Sequence, residues 1–211
     1  MKILSAVLVA AVILASSATC EAGRVFYSLG GGSVSRYESG DYIRFDATGL
    51  AGGALGWRWS QRVSLEIDAG YLRFTGAAPI FYTYPALGPL PPPPQWAVSV
   101  FPLAVGAVGY LRGEGAITPY AAVSPALYWI RWSLDEGGPF PSDFTRLVPG
   151  LRAGLGQRFP IGNRLRLDLG AVYLLSGSGR IASPQMRSLA AQDRFAGLNQ
   201  LVPFGQLTLT P

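Results

Sequence analysis

The strongest constraint on this chain is a period of two. From Val63 to Leu72, apolar and polar residues alternate: Val63, Leu65, Ile67, Ala69 and Tyr71 share one face of an extended strand, and Ser64, Glu66, Asp68, Gly70 and Leu72 share the other. The preceding residues repeat the pattern, with Leu55, Trp57 and Trp59 against Ala54, Gly56 and Arg58. Ser60, Gln61 and Arg62 form a short polar link. With Trp59 opposite Val63 the apolar faces of both strands coincide, as a hairpin requires.

The unit recurs along the chain. Leu165, Leu167, Leu169, Ala171 and Tyr173 oppose Arg164, Arg166, Asp168 and Gly170, and Leu151, Ala153 and Leu155 oppose Arg152, Gly154 and Arg158. Trp96–Arg112 is apolar on both faces, so its orientation is not legible, and Pro102 within it predicts a bulge or bend. Residues 37–48, 75–95, 133–143 and 177–198 are expected to be long connections. The second holds Pro89-Leu90-Pro91-Pro92-Pro93-Pro94, which has no place in a ladder because proline lacks the N–H donor. In the last, Leu189–Phe195 has the makings of a helical turn. Short turns fall at 60–62, 113–116 and 160–163. Eight strands with short and long connections in alternation predict an antiparallel up-and-down meander.

Composition narrows the setting. Charged residues make up 14% of the 211, against about 25% in a typical soluble protein. After residue 20 no apolar run approaches the ~18–20 residues of a spanning helix. A chain this apolar without such a helix is left with the closed barrel as its spanning structure. The predicted class is all-β: an eight-stranded transmembrane β-barrel with short periplasmic turns and long outer loops.

Alternation alone does not say which face points inward. An outward polar face would make a soluble, lipocalin-like barrel around an apolar cavity. Three features favour an outward apolar face. The polar face carries many glycines, which suit a narrow interior; Tyr and Trp fall near strand ends, as at a bilayer interface; and long and short connections segregate to opposite ends. Arg58, Glu66, Asp68, Arg152, Arg158, Arg164, Arg166, Asp168 and Gln206 then project into the lumen as a paired charge network. Trp57, Trp59, Tyr71, Trp129 and Tyr173 form an aromatic girdle.

Residues 1–22 have the form of an export signal: Lys2, an apolar core from Ile3 to Ala15, then small residues that allow cleavage after Ala18 or Ala22. The barrel domain is residues 23–211. Cys20 is the single cysteine, so no intramolecular disulfide forms. Its surroundings depart from the lipoprotein pattern. The net charge of +5 comes from dispersed arginines rather than a basic run, which argues against nucleic acid. Histidine is absent, which removes Ser–His catalysis and many metal sites.

The pieces GGALGWRWSQRVSLEIDAGYLRF, FPLAVGAVGYLR followed by ITPYAAVSPALYW, and GLRAGLGQRFPIGNRLRLDLGAVYLL resemble the small eight-stranded outer-membrane barrels of the OmpA-, OmpX- and OmpW-like group. The resemblance covers about residues 24–210 and its motifs are architectural. Barrels of this group commonly end in an aromatic residue, whereas this sequence ends Leu209-Thr210-Pro211. The resemblance implies a cell-envelope protein, exported through a cleaved signal peptide to the bacterial outer membrane. Its expected partners are membrane lipids, periplasmic chaperones and the barrel assembly machinery. It implies a monomer with no cofactor and no metal. The expected role is a non-enzymatic structural or surface-interaction scaffold with a charge-plugged lumen. The alternatives are a narrow, porin-like channel for small or apolar solutes and the soluble lipocalin-like barrel.

Overall fold

The computed structural model describes residues 25–34, 37–39, 43–46, 48–77, 95–111, 117–135, 142–177, 179–180, 194–195 and 198–211. The expected signal peptide with Cys20, the turn at 113–116 and the proline run lie outside these residues. The described strands are β1 (Val25–Val34), β2 (Tyr37–Ser39), β3 (Ile43–Phe45), β4 (Thr48–Arg58), β5 (Val63–Ala77), β6 (Gln95–Tyr110), β7 (Thr118–Asp135), β8 (Ser142–Pro160), β9 (Leu165–Ser176), β10 (Gly179–Arg180), β11 (Arg194–Phe195) and β12 (Asn199–Leu209). Eight of them form a ring in the order β1, β4, β5, β6, β7, β8, β9, β12, and β12 closes it by pairing with β1. Every pairing is antiparallel. Closure leaves no unpaired edge among the eight, so the wall satisfies its own backbone groups.

Tight turns gather at one end of the barrel. The Trp59 amide donates to the Val63 carbonyl at 3.0 Å, and the Ile161 amide to the Leu165 carbonyl at 3.0 Å. The start of β1 and the end of β12 lie at that same end, since Val25 pairs with Trp57 and Leu209 with Leu165.

The eight ladders of the ring join residues of like parity, as in Arg58↔Ser64, Tyr110↔Tyr120 and Arg158↔Asp168. Side chains alternate faces along each strand, so shared parity carries one face around the whole ring. Even-numbered positions face the interior: Ser64, Leu72, Phe74, Tyr128, Asp168 and Val202 are all fully buried. Odd-numbered positions face outward and are mostly apolar, among them Leu29, Val105, Val123, Leu155 and Leu201. An exterior of this kind needs an apolar medium. The soluble lipocalin-like arrangement, with its polar face outside, is therefore excluded.

Three sequence expectations are corrected. The stretch 37–48 is not simply a loop, because β2 and β3 form a small hairpin whose Arg44 and Phe45 extend the ladder of β5 at Ala77 and Gly76. Pro102 introduces no bulge. The β5–β6 ladder loses its pairing between Ala69↔Leu103 and Leu72↔Val100 but resumes in the same register. A like gap in the β6–β7 ladder falls between Ala104↔Ala126 and Ala107↔Val123, beside Pro125. Each proline thus removes local bonds without inserting a residue, since the neighbouring rungs hold the strand in register. Finally, of the stretch Leu189–Phe195, residues 189–193 lie outside the described residues, and Arg194 and Phe195 pair as strand with Arg180 and Gly179 rather than turning as helix.

Candidate functional site in the barrel lumen

The lumen has two levels. Toward the tight turns it is polar and charged. Arg158 on β8 faces Asp168 on β9 across one rung. Arg158 Nε donates to Asp168 Oδ1 at 2.6 Å and Nη2 to Oδ2 at 2.9 Å, the bidentate geometry that suits guanidinium to carboxylate. Asp168 Oδ2 also accepts from Thr208 Oγ1 at 2.7 Å and from Gln206 Nε2 at 3.4 Å. The guanidinium carbon lies 4.8 Å from the Tyr110 ring centroid and 5.7 Å from that of Phe26, so aromatic faces complete its surroundings. Beside this pair Glu66 accepts from Ser64 Oγ at 3.2 Å, and the Ser64 and Tyr110 hydroxyls stand 3.2 Å apart. Arg58 and Arg166 are partly buried on the same inward face.

Toward the long connections the interior is mainly apolar, with Ser176 and Gln200 as buried polar exceptions. Leu72, Phe74, Val98, Val100, Tyr128, Ile130, Trp132, Val148, Val172, Leu174, Leu198 and Val202 form one buried cluster. Tyr128 keeps its hydroxyl satisfied by donating to the Leu151 carbonyl at 2.9 Å. Where the two levels meet, Arg152 Nη1 lies 2.5 Å from Asp68 Oδ1. This pair borders a cavity of about 50 Å³, also lined by Gly30, Gly52, Gly70, Phe204 and Gln206. Such a volume holds a few water molecules but no larger solute.

No protein-family model matches the chain, and no curated protein matches it. Solved structures do. The outer membrane protein OprG from Pseudomonas aeruginosa superposes with a TM-score of 0.58 at 13% identity, over 89% of this chain and 97% of that one. Neisserial surface protein A superposes with a TM-score of 0.55 at 15% identity, over 88% of this chain and 97% of that one. The fold is that of the small eight-stranded outer-membrane barrels.

In an outer-membrane barrel the outward face meets lipid. Tyr71, Phe101 and Trp129 make a ladder across β5, β6 and β7, with ring centroids 4.9 and 5.9 Å apart. Trp57 and Trp59 pack at 5.9 Å beside a tight turn. Tyr173 also faces outward, where its hydroxyl donates to Asn199. The five residues named as a girdle therefore lie on the outer wall, at two heights. Aromatic rings also pack inside this barrel, over glycines of the neighbouring strand. A Cβ on Gly56 would fall 2.0 Å from the Phe26 ring, and one on Gly156 would fall 2.6 Å from the Tyr120 hydroxyl. These glycines make room for rings in a narrow lumen.

Of the residues expected in the lumen, Arg58, Glu66, Asp68, Arg152, Arg158, Arg166, Asp168 and Gln206 face inward. Arg164 does not. It is exposed in the tight turn before β9, where its carbonyl accepts the Thr210 amide at 2.9 Å. Sequence reasoning missed Phe26, Ser64, Tyr110 and Thr208 as members of the network. Tyr110 lies on the strand whose two faces are equally apolar. Its one orienting signal was on the partner strand β7, where Thr118 and Ser124 share its parity. The interior rings Tyr128 and Trp132 likewise separate from Trp129, which alone of the three faces outward.

Proposed function

We propose that this chain is a non-enzymatic barrel of the bacterial outer membrane, a closed scaffold that holds its long connections at the outer rim. The observation that carries this reading is a lumen occupied at both levels, by the Arg158–Asp168 network below and the Leu72–Phe74–Tyr128 cluster above. An eight-stranded barrel is just wide enough for its own side chains, so an interior filled this way favours a plug over a pore. The chain works as a monomer among outer-membrane lipids, which it reaches through its leader, periplasmic chaperones and the assembly machinery. The fold likeness to outer-membrane proteins supports this location.

Two measurements test the proposal. Membranes from cells expressing the full chain should yield a protein in the outer-membrane fraction whose gel mobility shifts only after boiling. The purified barrel in a planar bilayer should add no current steps. The cavity beside Arg152 and Asp68 favours one second reading, a narrow channel. Steady current that changes in Arg152→Ala would replace the scaffold with that channel.

A further inference from the structure

The ring closes through β1 and β12, but that seam is short. Its rungs run from Tyr27↔Leu209 to Gly32↔Phe204, six in all, whereas β1 keeps ten with β4 and β12 keeps eleven with β9. Both strands go on past the last shared rung. β1 continues through Ser33 and Val34 on β4, and β12 occupies Asn199–Pro203 on β9. Each hairpin then climbs further in its own unbroken register, β2 on β3 to Ser39↔Ile43 and β10 on β11 to Arg180↔Arg194.

The backbone places the stop at Pro203. Cβ atoms on Gly30 and Gly32 would meet the carbonyl oxygens of Gly205 and Pro203, so odd-numbered backbone groups of β12 point toward β1. The next odd rung sets Ser33 opposite Pro203, which has no N–H to return. Above it Leu201 and Asn199 aim their N–H and C=O groups toward β1, with no rung to receive them among the described residues. Leu209 to Leu201 is about 27 Å of strand at about 3.4 Å per residue, or roughly 20 Å of height at a barrel tilt near 40°. That is close to the top of the apolar band, where water reaches backbone groups. On the lumen side of the split, Val34 and Val202 are buried in the apolar cluster. On the outer side Gly31, Ser33, Pro203 and Gly205 are too small to interlock the two strands.

We propose that Pro203 divides this part of the rim into two moving arms. Above Gly32↔Phe204 the β1–β4 and β9–β12 hairpins swing apart and together, while the six rungs below hold the barrel shut. Parting the arms gives up apolar contacts but breaks no rung, which makes it a local opening of low cost. The motion changes the spacing of two rim hairpins, the feature that a surface scaffold presents.

The test uses the full chain carrying Cys20→Ser, folded into lipid nanodiscs. Spin labels at Gly49→Cys and Leu201→Cys, outward positions on the two arms, should give a broad or double distance distribution in double electron–electron resonance. Labels at Leu55→Cys and Leu167→Cys, which flank the closed part, should give a single narrow one. Pro203→Ala returns the missing donor at an exposed position and should narrow the upper distribution. In amide exchange on the unlabelled protein, Asn199 and Leu201 should exchange at least about ten-fold faster than Gln200 and Val202, whose amides face β9, and Pro203→Ala should slow Leu201 about ten-fold. A narrow upper distribution with Pro203 in place, equal protection of the alternate amides, or a Pro203→Ala variant that changes neither readout would each overturn the proposal. The amide contrast needs no substitution at the seam, so it decides the matter even where a variant does not fold.

Discussion

The two levels of the lumen solve one packing problem by different means. Near the tight turns, even-numbered positions carry charged and polar groups, and Arg158 meets Asp168 across a single rung, with Asp168 fully buried and accepting from three different side chains. Near the long connections, the same parity delivers Leu72, Phe74, Val100 and Val202 into one buried apolar cluster. The wall is equivalent at both heights, so the difference lies in what each level risks. A buried ion is held in place only while its partner remains, whereas an apolar side chain loses only its own contacts.

The largest effect should come from breaking the charged level at its centre. Arg158→Met leaves Asp168 buried without its counter-ion and should cost about 3–5 kcal/mol in denaturant unfolding of the barrel from vesicles. Replacing both partners, as Arg158→Met with Asp168→Leu, should recover most of that loss. If the double variant is as unstable as the single one, the pair does more than neutralise its own charge. At the apolar level Leu72→Ala should cost about 2–4 kcal/mol with no such rescue, because the loss is packing alone. Gly150→Ala probes the wall between the levels. Its added Cβ would lie 2.1 Å from the Leu175 carbonyl oxygen and 2.7 Å from the Tyr128 ring. Forced repacking there should cost about 1–3 kcal/mol and lower the temperature at which the gel shift is lost. The smallest effect should follow Arg152→Ala. Arg152 and Asp68 keep 21% and 12% of their side-chain surface beside the cavity, so the remaining carboxylate can be hydrated and the cost should be near 1 kcal/mol. A cost as large as that of Arg158→Met would erase the distinction between an open pair and a sealed one.

Most of the architecture was legible because alternation is local. Val63–Leu72 and Leu165–Tyr173 name their own faces, and the polar link at 60–62 sets the register of the first long hairpin. From these follow the strand count and the inward set of charges around Asp68, Arg158 and Asp168. Legibility failed where the local pattern was silent or where pairing overrode it. Both faces of β6 are apolar, so Tyr110 could not be assigned until closure gave it parity. Arg164 continues the alternation of β9 in sequence, yet it falls in the turn, where the chain bends before the strand begins. Pro102 suggested a bulge, but the rungs on either side hold the register.

The sequence by itself determined that the chain forms amphipathic strands joined in a meander, because side-chain direction in a strand depends only on position along the backbone. Only the tertiary structure decided what shares the lumen. Ring closure selects which residues of distant strands meet at each height, and that placed Arg158 between the rings of Phe26 and Tyr110, and an apolar cluster above the charges.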